Sequence, residues 1–376
     1  MGSTAMGHDV RATWMRGGTS KCWLFARERL PGDPADRDRL ISRVFGSPDA
    51  RQIDGVGGAT STTSKVMVVN EARSGSGRVE YEFGQVVVEE PRVEWTSNCG
   101  NCATALALYA AQQGYGMQDG EQIRVQLVNT RTDLVLDAAI ALRGAEVPNS
   151  GDAMVPGVTH PGVPVRLEFG RESWTSKGGS IMPTGVAREQ VMVGSYRATA
   201  SVIDAGTPAV FVDGADLDLH SGADGFEEQL TALVDPLREA RRDIQGRVAR
   251  WATDLGEAIP KIGVVVPAAS GSNVDVIVRM LSMDKLHPAI GITSAVAVAA
   301  ASAIEESVVA TCLGDRAEGP KLRIGTAAGV VDVIRVRDDD AQLVAVEVVR
   351  SARRIADARI HLPSEVRASE PGWSAR

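Results

Sequence analysis

Two segments of this chain are apolar on nearly every side at helical spacing. Asn101 to Gln113 reads NCATALALYAAQQ, and Thr293 to Glu306 reads TSAVAVAAASAIEE. A helix without a polar face must be buried on all sides. Each segment sits among short runs rich in β-branched residues and separated by Gly, Asn and Asp, the pattern of strands and turns. VMVV (66–69), RVEYEF (78–83), QVVVEE (85–90), IRVQLV (123–128) and DLVLDAAIAL (133–142) surround the first. SYRATASVIDA (195–205), AVFVD (209–213), KIGVVVP (261–267), VDVIVRML (274–281), LRIG and VVDVIRVR (330–337) surround the second. The pattern predicts two similar halves, each wrapping a sheet around one central helix.

The 376 residues leave room for two ordinary domains, and 44% hydrophobic with 23% charged residues is the make-up of a packed globular protein. The Gly-, Pro- and Ser-rich segment 146–190 is expected to carry the crossing between halves, with a boundary near 190. Residues 223–254 read as a polar surface helix broken near Pro236. A net charge of −8 disfavours a nucleic-acid binder, and 4% aromatic residues disfavour stacking on single strands. No apolar run reaches the length that spans a bilayer. The opening MGSTAMGHDVRATWM lacks the basic and apolar regions of a secretory signal, and Met1 to Gly7 carry no fold information. Cys22, Cys99, Cys102 and Cys312 are too few for a disulfide framework, so a cytoplasmic, reducing setting is the expectation.

Three loops carry the candidate chemistry. In Ser97-Asn98-Cys99-Gly100-Asn101-Cys102 the two thiols have CxxC spacing. A metal site would need a second pair of ligands, and a thioredoxin-like pair expects a βαβ setting. Two readings stand with equal weight. Either Cys99 is an active thiol at the start of a buried helix, where free N–H groups and the dipole lower a thiol pKa, or both are core cysteines. The second loop, Asp54 to Lys65 (DGVGGATSTTSK), is rich in Gly and hydroxyls and leads into a strand, which separates it from phosphate-binding loops that lead into helices. Lys65 stands where that loop meets an apolar strand; desolvated there it becomes a base, solvated it is a strand-edge lysine. The third loop, Met15-Arg16-Gly17-Gly18-Thr19-Ser20-Lys21, joins two strand-like runs, and either holds a carboxylate or is simply a tight hairpin.

Taken together, MRGGTSK (15–21), TSKV (63–66) and SNCGN (97–101), in that order, resemble the PrpF family, which includes 4-oxalomesaconate tautomerase and the aconitate, methylaconitate and methylitaconate isomerases. VIDAGTPAVFV (202–212), VRMLSMDKLHPAIGITSAVAVAAA (278–301) and RSARRIADARIHLP (350–363) agree more loosely, so the resemblance runs over nearly the whole chain. It implies an α+β, diaminopimelate-epimerase-like fold of two related domains, each a curved, mostly antiparallel, barrel-like sheet around a central buried helix, with the active site in the cleft between them. The implied domains are 8–190 and 191–345, with 346–365 returning to the first. It also implies an isomerase that needs neither metal nor organic cofactor and moves a double bond by a 1,3-allylic proton shift in a small unsaturated di- or tricarboxylate.

By motif match Lys65 corresponds to the catalytic base and Cys99 to the assisting cysteine. The expected substrate-binding residues are Arg16, Gly17, Gly18, Thr19, Ser20, Thr63, Ser64, Asn98, Gly100, Asn101, His287 and Thr293. Helix N-termini at Gly100–Asn101 and near Gly291–Thr293 would supply N–H donors to a developing oxyanion. Three positions depart from the family pattern: Cys22-Trp23 replaces a Gly and is expected to enlarge the wall, Thr207-Pro208 replaces Asn-Pro, and Gly325-Thr326-Ala327-Ala328-Gly329 lacks an imidazole. The competing functions are a carboxylate-binding accessory protein and a two-thiol racemase, the latter weakened because Gly291-Ile292-Thr293 offers no second cysteine. The expected partner is the carboxylate substrate, with no nucleic acid or membrane, and a homodimer is the candidate assembly.

Overall fold

The computed structural model describes residues 9–175, 179–248, 259–282, 285–287, 289–317 and 319–362. Residue 8, residues 249–254 of the polar stretch and residues 363–365 of the C-terminal segment, all included in the sequence reading, lie outside them.

The first half opens with a hairpin of β1 (Asp9–Gly17) and β2 (Ser20–Ala26), turned through Gly18 at φ +48°. Helix α1 (Pro34–Phe45) follows, started by Asp33, whose side chain accepts the Asp36 N–H, and stopped by Gly46 in the left-handed region. Next come β3 (Lys65–Val69), β4 (Arg78–Val86), the short β5 (Val93–Glu94) and α2 (Gly100–Gln112). The half continues with β6 (Met117–Asp119), β7 (Gln122–Asn129), β8 (Val135–Ala141) and β9 (Val163–Gly170). The second half holds β10 (Glu189–Val193), β11 (Tyr196–Ala205), β12 (Thr207–Asp213), α3 (Phe226–Ala232), α4 (Val234–Arg247), β13 (Lys261–Pro267), β14 (Val276–Ser282) and β15 (Lys285–Leu286). Then come α5 (Ile292–Ala301), α6 (Val308–Leu313), β16 (Lys321–Thr326), β17 (Gly329–Arg337) and the 19-residue β18 (Leu343–His361).

Strand pairing closes the first half into a ring: β1, β2, β3, β4, β7, β8, β9, β18 and back to β1. The second half repeats the same sequence of moves. A hairpin (β11, β12) leads through helices to a parallel strand (β13), then an antiparallel one (β14), and through α5 to a parallel one (β16). Strands β17 and β18 complete it. Among the described residues β10 and β18 do not pair, so this second sheet stays open. Strand β18 serves both halves, meeting β17 at its start, β9 in its middle and β1 along its last ten residues, Ala352 to His361. The sequence-derived architecture of two sheets around two buried helices therefore holds, with the first sheet sealed by the C-terminal strand.

Inside the ring, α2 touches β1, β2, β3, β7, β8, β9 and β18, and only Tyr109 and Gln112 along it are less than fully buried. Every residue of α5 is buried against β11, β12, β17 and β18. One continuous apolar core joins both helices. An eight-stranded barrel is just wide enough for side chains to fill, so a helix passes through only if its own side chains are small, which is the reason for the Ala-, Cys- and Thr-rich sequence. Helix α5 ends at Ala301, earlier than its composition predicts, because serine hydroxyls capture the last carbonyls: Ser302 donates to Ala299 O and Ser307 to Ala301 O.

The structure sharpens two sequence expectations. The polar stretch breaks at Leu233, between α3 and α4, and Pro236 sits in the first turn of α4, where its missing N–H is no loss. Within the Gly- and Pro-rich segment 146–190 lies a full strand, β9, with strictly alternating burial. It seals the ring between β8 and β18.

Gly17 shows how tightly β1 crosses α2: a Cβ there would lie 1.9 Å from Asn101 O and 2.8 Å from Ala105 N. Gly17→Ala is expected to cost about 3 kcal/mol or prevent folding, whereas Gly32→Ala, with nothing within 4 Å, should melt like the parent. Equal thermal melting of both variants would contradict this packing.

Candidate active site

Both buried helices begin at the same place. The N-cap of α2 is Cys99, extended at φ −134° and ψ 98°, and that of α5 is Gly291. A Cβ on Gly100 would lie 2.6 Å from Cβ of Ile292, so the two first turns are in contact. First-turn N–H groups have no partner inside a helix, and here two sets of them converge with their positive dipole ends. The cleft at this junction is lined from the first half by Ser20, Ser61, Thr62, Lys65, Phe83, Gln85, Glu94 and Ser97 to Asn101. From the second half come Thr207, Lys261, Met280, Leu281, His287 and Gly291 to Ser294.

Lys65 opens β3 opposite Gln85 of β4. The Gln85 amide nitrogen donates to Ser64 O (2.9 Å) and Val86 O (3.3 Å), which turns its Oε1 to accept from Lys65 Nζ at 2.7 Å. The ammonium also lies 5.1 Å from the centroid of the Phe83 ring. Across the cleft Lys261 opens β13. Burial, then the charge of Lys65, pushes its pKa down to about 8, with Arg241 acting in the same direction and Glu94 and Cys99 against it.

The Cys99 sulfur accepts the Cys102 N–H at 3.4 Å, capping the helix. Its pKa is pushed well up, first by the hydrogen bond it shares with the Cys102 thiol and then by burial, with Lys65 opposing. A helix N-terminus by itself lowers a thiol pKa, one of the two readings the sequence leaves open; here the hydrogen bond with a second buried thiol and burial act the other way and favour the protonated form. Cys102 and Cys22 behind it are core residues. Among the described residues no three His, Cys, Asp or Glu side chains converge as a metal-ligand group.

His287 is held with Nδ1 accepting the Ala289 N–H at 2.9 Å, which leaves the proton of the neutral ring on Nε2. Asn98 accepts at Oδ1 from Asn129 (2.8 Å) and Thr132 (2.7 Å), which fixes the amide beside Cys99.

Of the residues expected from sequence, Lys65, Cys99, Ser20, Asn98, Gly100, Asn101, His287 and Thr293 come together on the lining. Arg16, Gly17, Gly18, Thr19, Thr63 and Ser64 do not. One terminal nitrogen of the Arg16 guanidinium donates to Gly18 O, Ser351 O and Ser351 Oγ, tying the first hairpin to β18, while the other is buried without a partner. Gly17 and Gly18 press against Asn101, and Thr19 accepts from its Nδ2 at 3.1 Å. Thr63 bonds Thr60, and buried Ser64 donates to Gln52. These residues form the wall behind the cleft.

Trp23 also lies away from the cleft, stacked on Trp14 with centroids 5.3 Å apart and donating to Val56 O. The Cys22-Trp23 departure therefore adds no bulk to the wall of the cleft, whereas Thr207 does line it. The Thr326 to Gly329 turn is closed by its own hydroxyl and contributes no lining residue. Gln85, Glu94, Ser61, Thr62 and Lys261 were missed. The equivalence of Lys65 and Lys261 in the two halves is the signal that could have found the last.

Two halves of one topology around a shared cleft define the epimerase-like class. A hydroxyproline epimerase from Agrobacterium vitis aligns over 95% of this chain and 94% of its own, with TM-score 0.52 at 10% identity, a likeness of fold alone. A solved methylitaconate-delta-isomerase aligns over 98% of both chains at 26% identity and TM-score 0.77. The (4E)-oxalomesaconate Delta-isomerase of Novosphingobium sp. (strain KA1) is 33% identical over 92% of this chain and 95% of its own. The model of the PrpF protein family matches residues 8–363, and the chain belongs to that family.

Burial and the charge of Lys65 push the His287 pKa down to about 4, against an ordinary 6.5. Between those values the unfolded chain binds a proton that the folded one excludes, so stability is lost as pH falls from 6.5 towards 4. His287→Gln should flatten the decline of the melting temperature over that interval; an unchanged slope would show that the ring titrates normally.

Proposed function

We propose that this chain, an isomerase by family, moves a double bond by a 1,3-allylic proton shift in a small unsaturated di- or tricarboxylate, with Lys65 as base and Cys99 assisting. The observation that carries the reading is the convergence of Lys65, Cys99 and the N-termini of α2 and α5 on one cleft lined by both halves. Relatives named for oxalomesaconate, 2-methyl-aconitate and 3-methylitaconate isomerisation support the substrate class.

Removing a proton from a carbon next to a conjugated carboxylate or keto group places negative charge on oxygen. That charge is stabilised by fixed N–H donors and cations in a site shielded from water. The first-turn amides of α2 and α5 are such donors, and Thr293 and Ser294 add hydroxyls. Lys65, aimed by Gln85, takes the proton as an amine. Cys99, a neutral thiol, donates a hydrogen bond or a proton. A thiolate there would repel the substrate's carboxylates. Gly291 at the cap of α5 offers no second thiol, which disfavours inversion of a single carbon by paired cysteines.

Proton NMR in deuterium oxide with methylitaconate, aconitate and oxalomesaconate-type acids tests this. Wild-type protein should shift the double bond and incorporate deuterium, and Lys65→Met should lose at least ~10²-fold of both while keeping the parent's circular dichroism. Binding of an acid without any exchange would favour the carboxylate-binding accessory role.

A further inference from the structure

The two halves place a lysine at equivalent positions. Lys65 is the first residue of β3, the strand that follows the crossover helix α1 and runs parallel to β2. Lys261 is the first residue of β13, which follows α3 and α4 and runs parallel to β12. The same equivalence relates Ser20 at the start of β2 to Thr207 at the start of β12, and all four residues line the cleft. The internal repeat thus brings one amine to the cleft from each half.

Resting on the reading above, we propose that Lys261 is a second proton-transfer residue of this site, acting on the substrate from the wall of the second half while Lys65 acts from the first. In one direction of the reversible reaction the Lys65 amine takes the allylic proton. The C–H bond breaks, an N–H bond forms, and the electron pair spreads over the three allylic carbons into the conjugated carboxylate. The Lys261 ammonium then gives a proton to the far carbon: its N–H bond breaks, the nitrogen keeps the pair, and the new C–H bond closes the shift. Exchange with water returns one proton to Lys261 and removes one from Lys65. In the reverse direction the two lysines trade roles.

Two further observations fit this. Among the described residues Lys261 forms no salt bridge. The charged and titratable groups facing it are Lys65 from β3, Glu94 from β5, Arg241 from α4, Cys99 at the cap of α2 and His287 before α5. With burial they leave its pKa at about 8, so both the giving and the taking form are populated near neutrality.

The test separates double-bond migration from hydrogen exchange, with methylitaconate in deuterium oxide as first probe and the acids above as the panel. Lys261→Arg keeps the charge and length but does not deprotonate, and Lys261→Met removes both. Each is expected to lose at least ~10²-fold in migration while still exchanging one allylic hydrogen through Lys65. Because Lys261 gives its proton as an ammonium in this direction, the wild-type migration rate should fall as pH rises through about 8. Migration by Lys261→Arg within about threefold of wild type would show a charge-only role and overturn the proposal. So would a parallel fall of exchange and migration in both variants. Wild-type protein that moves no double bond in any acid of the panel would instead overturn the underlying reading of the site, and this role with it.

Discussion

Everything else in the molecule follows from threading a helix through an eight-stranded ring. The space inside admits only small side chains, so α2 is built from Ala, Gly, Cys and Thr with leucines at few positions, and β1 must cross it at Gly17 without a Cβ. A helix enclosed in this way cannot satisfy its terminal N–H groups with water along its flanks; its first turn has to emerge at the rim. The second half solves the same problem with α5, and Gly100 lets the two rims meet at Ile292. The cleft with its two sets of amide donors is therefore a by-product of the packing solution. The loops that line it need only supply side chains.

Those side chains make an unbalanced electrostatic environment. Two lysines and two helix N-termini face one glutamate, Glu94, with the thiol and the imidazole both neutral. Without a ligand the lysines repel each other, which is part of what depresses Lys261 and His287. On the proposed reading a bound dicarboxylate would offset that excess of positive charge. The neutral thiol fits the proposed reading, because its hydrogen bond with Cys102 and its burial keep negative charge off the protein where an anionic substrate would bring its own.

The architecture was legible in the sequence because its constraint is compositional: only burial on all sides explains NCATALALYAAQQ and TSAVAVAAASAIEE. Elements whose signal is local and ambiguous were harder to read. Strand β9 alternates cleanly, yet Pro164 and the turn-rich residues around it hide the pattern. In the site, loop identity was readable and side-chain direction was not. The Gly-rich loop before β3 was recognised, but which of its hydroxyls face the cleft depends on bonds such as Ser64 to Gln52 and Thr63 to Thr60, which turn those two away and leave Ser61 and Thr62 on the lining. Arg16 could be read as a carboxylate holder or as part of a tight hairpin, and only Ser351, 335 positions away, shows that one of its nitrogens ties that hairpin to β18. Lys261, at the start of KIGVVVP, looks like any lysine at a strand edge, and only the register with β12 makes it the counterpart of Lys65.

The equivalence of the halves is incomplete in an informative way. It pairs lysine with lysine and Ser20 with Thr207, but it pairs Cys99 with Gly291. Inverting one carbon calls for two groups on opposite faces of the same atom, and helix caps that touch across the junction are the natural place to put them. Here those caps carry a single thiol, Cys99, opposite Gly291. The matched pair is the two lysines at the starts of β3 and β13. On the proposed reading this suits a reaction in which a proton leaves one carbon and another arrives two carbons along. The fold alone is compatible with either chemistry; the side chains present in pairs are what favour the allylic shift.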